Sequence, residues 1–216
     1  KEDKQFIQGV SDNAHEVKEL INLVAPTSLS VIIQGDSGTG KEYVARRIHQ
    51  ESQRANQPFV AVDCGALSKD LALSEFFGHI KGSFTGAFAD KVGQFEQANG
   101  GTLFLDEVGN LSYEVQINLL RAIQERKIKP IGSNREIRVD VRIIIATNED
   151  LIEAVKRNQF REDLYHRLNE FTLFIAPLYD MLRDLPIYAN HFLRQANKEL
   201  NKSISGFDGE VMDIFN

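Results

Sequence analysis

Cysteine is nearly absent: Cys64 is the only one in 216 residues, so no disulfide can close within the chain. The five histidines are scattered without metal-ligand spacing, which argues against a zinc site. No apolar run approaches the ~20 residues that a membrane span needs, and the start, Lys1-Glu2-Asp3-Lys4-Gln5, carries no apolar signal region. A soluble, unexported chain in a reducing cytoplasm, with no membrane contact, is the expectation. Positive charge is also short, with 25 Lys and Arg against 31 Asp and Glu and a net charge of -6. Affinity for nucleic acid rests mainly on excess Lys and Arg, so any contact with DNA is expected to fall to a segment outside this chain. Repeats and low-complexity tracts are missing too. What remains is ordinary globular composition, 42% hydrophobic and 26% charged, enough for one large domain or one domain with a small appendage.

Apolar residues alternate between strand-like runs and helical spacing, which predicts an α/β fold with a parallel sheet flanked by helices. Residues 1–12 read as a linker. Val17, Leu20, Ile21 and Val24 then recur at helical spacing until Pro26. Residues 30–34 predict a short buried strand, and 41–53 a helix with Val44, Ala45 and Ile48 inward. Further strands are expected at 59–62, 102–105 and 141–146, the last a Val-Arg-Ile-Ile-Ile-Ala run suited to a strand covered on both faces. A helix over 112–124 places Val115, Leu119, Leu120 and Ile123 on one side, and 172–175 suits a fifth strand. Pro177 breaks that pattern. From Met181 the signal is helical only, through Leu185, Tyr188, Phe192, Ala196, Val211, Ile214 and Phe215. The reading is a main α/β subdomain over 13–176 and the start of a helical lid over 177–216. The stop in mid-pattern is what an excerpt from a longer protein would show.

Between the first strand and the helix after it lies Gly35-Asp36-Ser37-Gly38-Thr39-Gly40-Lys41, which fits G-x-x-x-x-G-K in the context that motif requires. Its glycines let backbone N–H groups surround phosphate, the helix N-terminus adds positive potential, and Lys41 reaches the outer phosphates of ATP. An ordinary glycine turn with a solvated lysine is the plain alternative. Glu42 occupies the position where Ser or Thr usually ligates Mg2+, so the metal must lean on phosphates, water and another carboxylate. Asp106 supplies that carboxylate. Thr102-Leu103-Phe104-Leu105-Asp106-Glu107 is a buried strand ending in two acids, and successive acids can divide the work. Asp106 would hold hydrated magnesium while Glu107 polarises the attacking water. Asn148, after the fourth strand, suits either a sensor of the terminal phosphate or a helix cap before Leu151.

Gly82-Ser83-Phe84-Thr85-Gly86-Ala87, preceded by Phe76-Phe77-Gly78-His79, reads unaided as a flexible glycine-flanked loop with an aromatic at its tip. A partner contact and a plain surface turn both fit that string. It also resembles the GAFTGA loop with which sigma-54-dependent (NtrC-type) transcriptional activators engage the sigma factor. GDSGTGKE, GGTLFLDEV and FREDLYHRL are similar to other signatures of that family, and the likeness runs from about Phe6 to the end. The resemblance implies an AAA+ P-loop ATPase, ATP and Mg2+ as cofactors, and a ring, usually a hexamer, with ATP between protomers. Its implied target is the sigma-54 RNA polymerase holoenzyme, remodelled to permit promoter opening, with residues 82–87 as the contact. By the same likeness Arg161 and Arg167 match trans-acting fingers, Asn148 the first sensor and Glu107 the catalytic base. A solvated helix face is the alternative for both arginines.

Three departures from the family pattern bear on the site. Ser83 replaces the usual Ala, a change expected to matter little. Asp63 stands where many members carry an Asn that holds the catalytic glutamate, and a carboxylate facing Glu107 would repel it or share a proton with it. Leu178-Tyr179-Asp180-Met181-Leu182-Arg183 replaces a charge-rich segment at the lid, so adenine contacts or ring packing are expected to differ. Two rival functions share these residues. One is an AAA+ machine acting on a different protein or nucleic-acid target, against which the 82–87 loop speaks. The other is a nucleotide-gated binding module without turnover, which Lys41, Asp106, Glu107 and Arg167 disfavour.

Overall fold

The computed structural model describes residues 7–211, with only the backbone of Lys69. Seven strands form among the described residues: β1 (Val31–Gln34), β2 (Phe59–Asp63), β3 (Thr102–Asp106), β4 (Lys127–Ile128), β5 (Ile137–Arg138), β6 (Arg142–Thr147) and β7 (Phe171–Phe174). Five of them make one sheet in the order β2-β3-β6-β1-β7, every pair parallel. The short β4 and β5 pair antiparallel as a separate hairpin. All five strands expected from the sequence are present with ends shifted by a residue or so.

Position in the sheet explains composition. β6 is buried along its whole length between β1 and β3, and so can be apolar on both faces, whereas the edge strands β2 and β7 are only partly covered. Side chains alternate across the sheet, so the two faces fill separate cores. Leu103, Leu105, Ile143 and Ile145 meet one core with Leu119 and Leu164. Phe104, Ile144 and Ala146 meet the other with Val17, Ile21, Val44 and Ile48.

The helices are α1 (Asp12–Val24), α2 (Lys41–Gln50), α3 (Lys69–Phe77), α4 (Gln94–Gln97), α5 (Tyr113–Glu125), α6 (Leu151–Lys156), α7 (Glu162–Leu168) and α8 (Leu185–Glu199). Ser11 caps α1 by accepting from the Ala14 N–H, and Ser112 caps α5 by accepting from the Val115 N–H. Asp150 caps α6 through the N–H groups of Ile152 and Glu153, which removes the capping alternative for Asn148. The helix expected over 41–53 ends at Gln50, and two 3-10 turns, Leu178–Asp180 and Leu182–Asp184, precede α8. The helical expectation at Ile214 and Phe215 lies outside the described residues. Val10 and Ser11, within the stretch expected as linker, are bonded to Asp184 at the end of the second 3-10 turn. No helix among the described residues is long and apolar enough to cross a membrane.

Arg142 opens β6 almost wholly buried, donating to the carbonyls of Val24 and Ala25 at 2.8 Å and of Leu29 at 3.2 Å. Val24 and Ala25 close α1 at its C-terminal end, where a cation is favoured, and Leu29 lies in the segment before β1. Burial, with the nearby Arg54 charge, brings the guanidinium down to about 10.

Candidate nucleotide site

Parallel pairing brings the C-terminal ends of β1, β6 and β3 to one edge, where Gln34 pairs with Thr147 and Leu105 with Ile145. Ligand sites of open α/β sheets form at such edges. The turn after β1 runs into α2 through Gly38 and Gly40 at φ of 83° and 87°, a region costly for other residues. Lys41, the first residue of α2, is buried, and its Nζ donates to the carbonyls of Gly35 at 2.9 Å and Asp36 at 2.8 Å. The ammonium is therefore held against the turn, partnered by neutral carbonyls. Glu42 points along α2 instead and binds Arg46 through Oε1 at 2.7 Å.

Beside this turn is a cavity of about 460 Å3. Residues 36–40 form its polar side; Ile175, Leu178, Met181 and Phe192 are among the apolar groups opposite. Tyr179 reaches across, its hydroxyl 3.4 Å from Asp36 Oδ2, and its phenol is pushed up by burial and by the Asp36 and Asp180 charges. The unusual 178–183 segment thus supplies apolar and phenolic surface to the pocket.

Asp106 ends β3 half-buried, with Oδ1 accepting from the Glu107 N–H at 3.0 Å. Glu107 itself has φ of 52°, outside the strand conformation. Its Oε2 accepts from Asn110 Nδ2 at 3.0 Å and lies against Gly65, where a methyl group would overlap it. Gly65 follows β2, on the side of β3 remote from β1, so this carboxylate is turned away from the Lys41 turn. Asp63 does not hold Glu107. Its Oδ1 accepts from the N–H groups of Gly65 at 2.9 Å and Ala66 at 3.2 Å, and the bond to Glu107 comes from Asn110 instead. The carboxylates still act on their neighbour: burial first, then Asp63, Asp106 and Glu107, push the Cys64 thiol far above its ordinary range. Three or more His, Cys, Asp or Glu groups that could hold a metal ion do not cluster among the described residues. A single carboxylate fits Mg2+, which is commonly held by one or two carboxylates together with substrate phosphates and water.

The Sigma-54 interaction domain family matches residues 7–174. The chain belongs to that family. It is 50% identical over 194 residues to the transcriptional regulatory protein GlrR of Escherichia coli K12, covering 90% of this chain and 44% of GlrR. It is 46% identical over 209 residues to ZraR of Salmonella typhimurium LT2, covering 95% and 47%. Crystal structures of Brucella abortus NtrX with ADP and with ATP superpose with TM-scores of 0.89 and 0.86, each at 33% identity. The ADP complex covers 96% of this chain and 45% of that one. The chain thus spans under half the length of the relatives it matches, and its fold is that of an NtrC-type AAA+ domain.

Within this domain, residues 82–87 stand outside the cavity, between α3 and α4. They form a closed turn, Gly82 N–H to Ala87 O at 2.8 Å and Ala87 N–H to Phe84 O at 3.0 Å, on a His79–Lys91 bridge. Phe84 is 37% exposed, its ring edge-on to His79 with centroids 5.0 Å apart. The hydroxyl of Ser83, expected to matter little, is buried without a hydrogen-bond partner and packs toward Gly132 of the β4–β5 hairpin. Arg161 precedes α7, paired with Asp163 at 2.7 and 2.9 Å and lying over the Tyr113 ring. That pairing raises the arginine and lowers the carboxyl. Arg167 lies in α7, 3.4 Å from Glu170. Asn148 is exposed in the turn after β6.

Sequence reading missed Asn110, Asp184 and Phe88. Phe88 is 86% exposed directly after the turn, between Ala87 and Ala89.

Proposed function

We propose that this domain hydrolyses Mg-ATP and uses the cycle to move residues 82–87 against the sigma-54 RNA polymerase holoenzyme, permitting promoter opening. The reading is carried by one observation: a single family match spans both the Lys41–Asp106 site and the loop that stands away from it. The NtrX complexes with ADP and ATP support nucleotide as the occupant.

Each residue has a derivable task. Residues 36–41 present backbone N–H groups and the α2 N-terminus to phosphate, and Lys41 exchanges its carbonyl partners for phosphate oxygens. Glu42 adjoins this cradle through its backbone, since its side chain is engaged by Arg46. Asp106 would hold magnesium, and the metal, when bound, would neutralise phosphate charge. Glu107 must leave Asn110 before it can take a proton from the attacking water. Asn148 senses the terminal phosphate. Arg161 and Arg167 complete a neighbour's site in a ring, probed below, with Arg161 first giving up Asp163. Phe84, with Ser83 and Thr85 beside it between Gly82 and Gly86, meets the sigma factor. We place this work in the cytoplasm, with DNA met by another segment of the protein.

The test uses ATP turnover and capture of sigma-54 in the presence of an ATP transition-state mimic, on the same preparations. Phe84→Ala is expected to keep turnover within a few-fold and to lose capture. Glu107→Gln is expected to bind Mg-ATP and hydrolyse it at least ~100-fold more slowly, the lower end of general-base contributions. Capture by Phe84→Ala equal to the parent's would remove the loop from the coupling, and near-normal turnover by Glu107→Gln would move the base elsewhere.

A further inference from the structure

Asp184 is a fully buried carboxylate in which none of the chemistry above has a part. It lies at the end of the second 3-10 turn, immediately before α8, and both its oxygens turn to the other end of the chain. Oδ1 accepts from the N–H groups of Val10 at 2.5 Å and Ser11 at 2.8 Å, and Oδ2 accepts from the Ser11 hydroxyl at 2.6 Å. The same hydroxyl accepts from the Ala14 N–H, so the lid carboxylate and the first turn of α1 share one side chain. Gly9 lies so close that a methyl group there would overlap the carboxylate.

The two segments joined in this way are two walls of the cavity. Ile7 and Gly9 line it from the entering segment; Tyr188, His191 and Phe192 line it from α8. Tyr188 is one helical turn beyond Asp184, and its phenol is pushed up by burial and then by that carboxylate.

We propose that Asp184 is a positioning residue that latches the entering segment to the lid, and that the grip on the nucleotide base, though not on the phosphates, depends on this latch. The inference rests on the reading of the cavity as a nucleotide pocket. Phosphates are met by residues 36–41, the turn between β1 and α2 and the first residue of α2, none of which bonds Asp184. The base falls among apolar groups contributed by both latched walls. A carboxylate accepting from three donors, two of them in buried bonds, is a strong local tie, and removing it leaves those donors unpaired. A pull on the segment before Ile7 would thus reach the nucleotide by separating the walls around its base.

The experiment compares ADP with inorganic tripolyphosphate, which carries phosphates and no base, by calorimetric titration of the parent, Asp184→Asn and Ser11→Ala proteins, with release of a fluorescent ADP followed by stopped flow. Both variants are expected to bind ADP at least about tenfold more weakly and to release it correspondingly faster, with tripolyphosphate affinity within about twofold of the parent's. ADP affinity unchanged in both variants overturns the latch, as does an equal loss of ADP and tripolyphosphate, which would mean general damage. If Asp184→Asn fails to fold, Ser11→Ala, which removes one of the three donors, decides by the same comparison. Parent protein that binds neither ligand overturns the nucleotide reading itself, a result distinct from failure in the variants alone.

Discussion

His49 is buried in α2, its Nδ1 2.9 Å from the Thr102 hydroxyl and its ring 5.2 Å from that of Phe59. Burial, aided by the Arg142 and Arg46 charges, lowers its affinity for a proton against the opposing bond to the Gln57 backbone. The sign of the consequence follows from linkage. Below a pH of about 6.5 the unfolded chain takes up a proton that the folded chain refuses, so stability falls with pH until the lowered folded value is reached, then levels off. One proton contributes at most about 1.4 kcal/mol per pH unit. His49→Gln, which keeps a polar partner for Thr102, should lose less melting temperature than the parent between about pH 7.5 and 5.5. Identical slopes for the two proteins would show that other groups govern the acid limb. Residue-scale placement was legible in the sequence where a motif carries it: Lys41 opens the helix after the glycine turn and Asp106 ends a buried strand, as their strings imply. Asn110 and Asp184 were not, because their partners are fixed by a left-handed residue at 107 and by a contact across 173 positions, neither of which leaves a local pattern.

At the scale of elements, the loop at 82–87 and the β4–β5 hairpin form a joint surface. Ser83 Oγ is the buried side-chain polar atom that finds no partner among the described residues. A buried hydroxyl left unpaired costs roughly 1–3 kcal/mol. Ser83→Ala should therefore raise thermal stability, by about 2–4 °C for each kcal/mol recovered in a chain of this size, read by calorimetry. A fall in melting temperature would mean that water or a neighbouring group serves the hydroxyl in solution. The long amphipathic helices α1 and α5 and all five sheet strands were readable because their periods or continuous runs extend far enough to register. The hairpin strands have two residues each, and α4, α6 and α7 have four to seven, too few to establish a period. In α3, the sequence Lys-Asp-Leu-Ala-Leu-Ser-Glu-Phe-Phe spreads apolar groups around the axis, so no single stripe marks it.

On the scale of the whole molecule, the nucleotide cavity and the α7 arginines are separate: neither Arg161 nor Arg167 lines the cavity beside residues 36–40. The proposed ring gives them a task in another copy's site. Arg167→Ala should bind nucleotide nearly as the parent does and lose most hydrolysis, and mixing it with Lys41→Ala protein should restore some turnover. Restoration follows if a mixed ring places a sound pocket beside a sound arginine. Mixtures that assemble yet never exceed the sum of their parts would count against action in trans. One feature inside each copy constrains how such a ring could transmit force. The Arg142 guanidinium ties the start of β6 to Val24, Ala25 and Leu29, while the opposite end of the same strand leads to Asn148. Six strand residues span about 20 Å. That rod is pinned at one tip and bonded along both flanks to β1 and β3. A displacement at Asn148 therefore meets a strand held at its far end by Arg142 and along both flanks by β1 and β3.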